Sequence, residues 1–255
     1  MKQLLILFSF LILLNVGMLK AQNKHFITSG TIEFERTANM FALVKKKITK
    51  HSMEYKDDYE EYLKKEPQFR KLKSTLIFDA NTTIFTPESA KNVHWRYDSP
   101  MANQINTVFS DLNNGTSVIQ KEFYERTFLV KDVIRQIKWK ITDEMRVIEG
   151  YKCRRANGIM LDSIYVVAFY TDEIHVKGGP ESFNGLPGMI LGVSVPHENV
   201  TWFATKVTEE IVEPKSLLAP KKGKEVNNKQ MEAEIMKAIG NQGDFAVVQL
   251  RGLVL

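Results

Sequence analysis

Between two apolar runs the chain reads Gly178-Gly179-Pro180-Glu181-Ser182-Phe183-Asn184-Gly185-Leu186-Pro187-Gly188-Met189-Ile190. Glycine reaches positive φ without steric cost and proline fixes φ at about −65°, so this alternation predicts a loop with a defined path. Apolar side chains between the glycines indicate that the loop folds back onto a core. A rigid connection that supports the fold is the favoured interpretation. The alternative is a ligand-binding or partner-binding loop formed by Phe183, Gly185, Leu186, Pro187, Gly188 and Met189.

On either side of this loop, most segments alternate apolar and polar residues with a period of two, which is typical of half-buried strands. Asn113-Asn114-Gly115 predicts a hairpin turn, because the asparagine and the glycine of an Asn-Gly pair both tolerate positive φ. The run 164–170 is apolar on both faces and is predicted to be a central strand covered on both sides. Further strands are predicted at residues 31–35, 73–79, 82–86, 105–109, 116–120, 122–130, 132–142, 146–155, 189–195 and 201–207.

Two helices are predicted to lie on this sheet. Tyrosines recur at helical spacing between residues 52 and 67, and Met231, Ile235 and Ile239 do so between a predicted N-cap at Asn228 and a terminator at Gly240. Residues 213–224 are predicted to be an exposed connection, and residues 244–250 a last strand. The fold class that follows is α+β: a large curved, mainly antiparallel sheet with one or two covering helices.

The N-terminus predicts export. Lys2 gives a positive start, residues 4–16 form an almost uninterrupted apolar run, and Ala21 offers a small residue for cleavage. We therefore expect a signal peptide over residues 1–21, a single domain over residues 22–255, and no membrane span after the signal is removed. The expected location is periplasmic or secreted. A lipoprotein is not expected, because the only cysteine, Cys153, lies far from the cleavage region.

Composition excludes several function classes. The formal net charge is +5, and the two basic clusters, residues 45–47 and 220–224, lack the interleaved aromatic side chains of a nucleic-acid surface. Nucleic acid is therefore not an expected partner. A single cysteine also precludes an intramolecular disulfide, so stability has to come from the core.

Several short sequence motifs in the chain resemble those of one exported family. The motifs are Trp139-Lys140-Ile141, residues 149–156, residues 168–174, Gly179-Pro180 and Gly185-Leu186-Pro187-Gly188-Met189-Ile190, which follow one another in the family's order. They are similar to the GLPGLI family of Bacteroidetes-type proteins, with Met189 in place of a leucine. The resemblance implies no established activity. It implies a half-barrel-like architecture similar to envelope carriers, and a setting beside a TonB-dependent receptor.

Candidate chemistry is sparse. Two histidines, His175 and His197, flank the glycine-rich loop, and with Glu173, Glu181 or Cys153 they are the weak candidates for a copper or zinc site. A nucleophilic Cys153 with His175 as base is a further alternative, although a small buried side chain is the favoured interpretation of Cys153. No phosphate loop, dinucleotide fingerprint or serine-hydrolase elbow occurs, so no cofactor and no catalytic residue are predicted.

These observations favour a noncatalytic envelope protein that binds a hydrophobic ligand, a peptide or an outer-membrane partner, such as a TonB-dependent receptor. A metal-handling protein or hydrolase that uses Cys153 with His175 or His197 is one alternative. A structural or adhesion module is another.

Overall fold

The computed structural model of the chain describes residues 26–51, 56–89, 99–161 and 163–254. This part of the chain contains one twelve-stranded sheet and five α-helices, which confirms the predicted α+β class with a large curved sheet. The predicted signal peptide lies outside the described residues, and the extent of a single domain over residues 22–255 stays a prediction.

The sheet is open and almost entirely antiparallel. Its strand order is β12-β6-β5-β4-β3-β2-β1-β11-β10-β9-β8-β7, and the pairing of β12 with β6 is the parallel one. The strands are β1 Gly30–Asn39, β2 Phe69–Phe78, β3 Thr82–Pro87, β4 Asn106–Asp111, β5 Thr116–Phe123, β6 Arg126–Val133, β7 Lys138–Ile148, β8 Tyr151–Met160, β9 Ile164–Thr171, β10 Met189–Val195, β11 Val200–Glu209 and β12 Lys224–Val226. The strand β9 is buried on both faces as predicted, but it lies third from the β7 edge rather than at the centre.

Two segments that were predicted as single strands contain hairpin turns. The pair Phe123↔Arg126 closes a turn between β5 and β6 in which Tyr124 has a φ of 51°. The pair Ile148↔Tyr151 closes a second turn, with φ of 48° at Glu149 and 84° at Gly150. Two consecutive positive φ values favour the tight turn of a two-residue hairpin, so the alternating pattern continues through a change of strand.

The helices are α1 Met40–His51, α2 Lys56–Lys65, α3 Pro100–Asn103, α4 Asn228–Ile239 and α5 Asp244–Val254. The helix α4 ends at the predicted Gly240, but its N-cap is Asn227. The Asn227 side chain accepts from the Gln230 backbone N–H, and the Gln230 side chain accepts from the Asn227 backbone N–H. Asn228, the predicted cap, donates instead to Asp132. The predicted strand 244–250 is wrong: Ala246, Leu250 and Leu253 recur at helical spacing in α5 once the run is followed beyond residue 250.

The glycine-rich loop, residues 177–188, crosses one face of the sheet. The Trp139 indole of β7 donates to the Asn184 carbonyl over 2.9 Å, and the Phe183 ring lies 5.6 Å from the Trp202 ring of β11. These two strands are separated by β8, β9 and β10, so the loop covers several strands and helps to bury β9. In the part of the chain that the structure describes, no helix has the length and apolarity needed to span a bilayer.

Candidate functional site

Five polar or aromatic side chains meet beneath helices α3 and α5, and we call them the polar cluster: Arg36, Asn106, Lys121, Glu181 and Trp202. Strand alternation directs the first three inward. Arg36 follows Ile32 and Phe34 in the buried row of β1, and Lys121 follows Ile119 in that of β5. Asn106 begins the buried row of β4, so a charged or amide side chain occupies the place of an apolar one in three strands.

Glu181 is the centre of the polar cluster. Its Oε1 lies 3.5 Å from the Arg36 guanidinium, and its Oε2 accepts from the Asn106 amide over 3.2 Å. Arg36 lies on β1 and Asn106 on β4, with β2 and β3 between them. Neighbouring strands are about 4.8 Å apart, so the curvature of the sheet and the reach of both side chains are needed to meet one carboxylate.

The backbone at Glu181 is strained. Its φ of 50° is in the left-handed region, which is uncommon for a residue with a Cβ and which the rest of a structure has to stabilise. The turn around it is closed by the Phe183 N–H, which donates to the Pro180 carbonyl over 3.1 Å. Gly179 permits this turn, because a Cβ there would lie 2.6 Å from the Phe183 carbonyl oxygen. Strain of this kind at a buried carboxyl is a feature of functional sites.

The polar cluster contains hydrogen-bond donors without a partner. Among the described residues, neither the Nε of Arg36 nor the Nε1 of Trp202 has an acceptor, although both residues are more than nine-tenths buried. The Trp202 indole lies near Glu181 but does not reach hydrogen-bonding geometry with it. A cavity of about 10 Å³ is lined by both residues together with Asn106 and Glu181. That volume fits about one water molecule.

Burial dominates the electrostatics of the site. It raises the pKa of Glu181, and the charges of Arg36 and Lys121 oppose this shift only in part. It lowers the pKa of Lys121 to about 7, with the nearby charge of Arg135 acting in the same direction. A carboxyl whose pKa is raised and an amine whose pKa is lowered are groups of the kind that serve as general acid and base in enzyme sites.

Two helices close the polar cluster. The Arg36 guanidinium donates to the Ala102 carbonyl of α3 over 2.7 Å, and the Lys121 ammonium donates to the Leu253 carbonyl of α5. The helices also contact each other, because a Cβ at Gly252 would lie 2.2 Å from Cβ of Pro100. In this arrangement the cavity that the described residues form beside Glu181 has space for about one water molecule.

The residues of the glycine-rich loop lie mostly inside the fold. Phe183, Leu186 and Met189 are buried in the core, whereas Gly185 and Pro187 are exposed. Gly188 is enclosed, since a Cβ there would lie 2.0 Å from the Thr171 carbonyl oxygen. A binding role for these six residues stays a prediction. The member of the stretch that joins the polar cluster is Glu181, which entered the sequence analysis only as a possible metal ligand.

The structure does not assemble the suggested metal or thiol site. His175 and His197 are exposed, and Cys153 is buried in β8. Burial raises the pKa of the Cys153 thiol to about 12, so the reactive thiolate is disfavoured. Over the described ranges, no group of three or more His, Cys, Asp or Glu side chains could hold a metal ion.

Comparison with known proteins revises the family. The family model described as "N-glycanase peptide, N-terminal domain" matches residues 103–231. The assignment to the GLPGLI family is therefore wrong. The motif at residues 185–190 that suggested this family reflects local geometry, because Gly188 is enclosed by Thr171 and Gly185 has a φ of 90°. A short glycine–proline motif of this kind indicates the conformation of a loop more than membership of a family.

Solved structures show the same fold. PNGF-II in a C2 crystal form superposes with a TM-score of 0.53 at 15% identity, covering 83% of this chain and 33% of that chain. A P21 form of PNGF-II gives 0.51 at 16% identity, covering 83% and 34%. The chain thus spans about a third of the length of these structures. No curated protein sequence matches it.

Proposed function

The chain belongs to the family of N-glycanase N-terminal domains, and we propose that it takes part in the enzymatic cleavage of N-linked glycans. The observation that carries the proposal is the family match over residues 103–231, a range that includes Asn106, Lys121 and Glu181 of the polar cluster. The hypothesis of a noncatalytic carrier of hydrophobic ligands beside an outer-membrane receptor is wrong, because the family match is to a domain of glycan-cleaving enzymes.

The chemistry of the polar cluster supports this role. Cleaving a glycan from asparagine with water requires a proton for the leaving group and stabilisation of charge on oxygen. Glu181, whose pKa is raised by burial, suits the proton donor. The unpartnered N–H groups of Arg36 and Trp202 suit an oxygen that becomes more negative during the reaction. General acid–base catalysis of this kind contributes about 10²–10⁴-fold to a rate.

The test is glycan release by the full chain. The protein is incubated with a glycoprotein that carries N-linked glycans, and mass spectrometry detects the free glycan and the peptide left behind. A peptide that carries aspartate in place of the glycosylated asparagine reports cleavage of the side-chain amide, whereas one that keeps a sugar on asparagine reports cleavage within the glycan. We expect release by the wild type and a loss of at least about 100-fold in Glu181→Gln.

A matched variant separates chemistry from charge. Glu225 lies inside the family match but is exposed and pairs with Lys131, so Glu225→Gln should retain the wild-type rate. Circular dichroism confirms that each variant is folded. Absence of glycan release by the folded wild type, or equal rates for Glu181→Gln and Glu225→Gln, would contradict the proposal.

We also propose that the chain acts outside the cytoplasm, in the periplasm or as a secreted protein, on glycoproteins as partners. The support is the charged start and apolar run that precede Ala21. N-terminal sequencing of the mature protein from its host tests this. A chain that begins at Met1 and fractionates with the cytoplasm would contradict it.

A further inference from the structure

The helix α5 differs from the rest of the cover in how it is attached. Among its described side chains, the fully buried apolar ones are Ala246, near the start, and Leu253, in the last turn. Leu250 packs partly against the core, and three further attachments lie in the last turn: Arg251 pairs with Glu198 over 3.1 Å, Gly252 contacts Pro100, and the Leu253 carbonyl accepts from Lys121. Most of the described attachments of the helix are therefore concentrated at its C-terminal end.

The other end of α5 has a pivot. Gly243 precedes the helix with a φ of 56°, and a Cβ at this position would have no atom within 4 Å. Glycine adopts both signs of φ at little cost, so rotation at Gly243 can swing α5 without disturbing its own hydrogen bonds. A pivot at one end and a fastening at the other is the arrangement of a hinged lid.

The contact between Lys121 and the Leu253 carbonyl, which we call the inner fastening of α5, resembles a contact that a bound substrate would make. Lys121 lies in a fully buried site and donates to a peptide carbonyl of α5, while Arg36 donates to a peptide carbonyl of α3. Both occupants are amide oxygens. Arg36 and Trp202, each with an unpartnered N–H group, line one small cavity beside Glu181, so the polar cluster holds several donors for ligands of this type.

We propose that α5 is a hinged lid over the polar cluster, and that its Leu253 carbonyl occupies the place on Lys121 that an amide carbonyl of an N-linked glycopeptide takes when the lid opens. This inference rests on the proposed function for the identity of the ligand. The lid itself is a property of the fold and can be tested without glycan cleavage.

One substitution opens the lid without replacing a side chain of the polar cluster. In Gly252→Ala, the new methyl group would lie 2.2 Å from Pro100, so α5 has to move away from α3 even though alanine favours the helix itself. Gly240→Ala is the matched control, because its Cβ would meet the flexible end of Met236 at an ordinary 3.4 Å.

Hydrogen exchange of the full chain measures the opening. We expect amide exchange over residues 244–254 to be at least about 10-fold faster in Gly252→Ala than in Gly240→Ala, with unchanged exchange in β1, β4 and β5. Equal exchange over α5 in the two variants would overturn the lid. So would a parallel increase across the sheet, because α5 would then be an integral part of the fold.

Binding of a defined probe tests the ligand. The probe is a peptide with asparagine-linked N,N′-diacetylchitobiose, and the control is the same peptide without sugar. We expect Gly252→Ala to bind the glycopeptide at least about fivefold more tightly than Gly240→Ala, and neither variant to bind the control peptide. Faster exchange in α5 without tighter glycopeptide binding would overturn the proposal that Lys121 binds a carbonyl of this substrate. A wild type that cleaves no glycan while Gly252→Ala passes both tests would reject the proposed activity and retain the lid.

Discussion

Helices α4 and α5 follow one another along the chain and differ in what holds them. The helix α4 buries Met231, Ile235 and Ile239 along one stripe and begins with a capping box at Asn227. The last turn of α5 is held by a salt bridge, a glycine contact and a lysine from the polar cluster. A helix held by an apolar stripe along its length stabilises the sheet beneath it, whereas one whose polar contacts are concentrated at one end can cover a site and be released from it.

The largest expected effect is in α4. Ile235→Ala removes a fully buried side chain and should lower the free energy of unfolding by about 2–5 kcal/mol. Leu253→Ala removes an equally buried side chain in α5 but should cost less globally, because α5 can detach while the sheet stays folded. Urea denaturation monitored by circular dichroism measures both. Equal losses would remove the distinction between the two helices.

A second effect is the dependence of stability on pH at Lys121. The pKa of this lysine is about 7 in the fold, below its ordinary value of 10.5, so the unfolded chain binds more protons between these values. Stability from this group therefore rises with pH above 7 and is lost as pH falls through 7. We expect a gain of about 2 kcal/mol from pH 7 to pH 9 in the wild type relative to Lys121→Met. Parallel stability curves for the two proteins would contradict this.

A smaller effect is expected at the cap of α4. Asn227→Ala removes the side-chain acceptor of the Gln230 N–H and should cost about 1 kcal/mol. The exposed Asn241, between the helices, provides the control, and Asn241→Ala should be neutral. Thermal unfolding of the three proteins checks the difference. If Asn227→Ala were also neutral, packing alone would account for the stability of α4.

The smallest expected effect is that of Gly252→Ala on the labelling rate of Cys153. This residue lies far in the sheet order from the strands that carry Lys121 and Asn106. Burial raises the pKa of its thiol to about 12, so labelling with a thiol reagent should be slow in the native protein. It should be equally slow in Gly252→Ala, since opening α5 leaves β8 covered. Rapid labelling of Gly252→Ala alone would show that the substitution loosens the sheet as well as the lid.

Much of the fold was predictable because it depends on local pattern. Period-two alternation located most strands, and the turn at residues 113–115 was predicted because its glycine adopts positive φ. The turn at Glu149-Gly150 was missed, because glutamate rarely adopts the positive φ that it has here. The last helix was missed because a short apolar run suits a strand equally well, and its third buried position, Leu253, lies beyond the run.

The polar cluster had a sequence signal that went unused. Arg36 and Lys121 both stand where alternation predicts an inward apolar side chain, and a buried charge usually requires a partner. That Glu181 is this partner could not be predicted, because it lies 145 residues from Arg36 and the two meet only through the path of the loop and the curvature of the sheet. The conspicuous glycines and prolines of the loop position that single carboxyl.

The salt bridge of Arg251, the outer fastening of α5, and the Lys121 contact, its inner fastening, differ in their exposure to solvent. The side chain of Arg251 is 48% exposed, and its partner Glu198 also lies 3.8 Å from Lys46 of α1. Dissolved ions screen exposed charges, with a Debye length of about 8 Å at physiological ionic strength, but they do not reach a dehydrated pair such as Lys121 and the Leu253 carbonyl. Ionic strength therefore acts on the outer fastening and leaves the inner one intact. A change from dilute buffer to concentrated salt therefore weakens the rim of the cover first, while the contact beside the buried carboxyl persists.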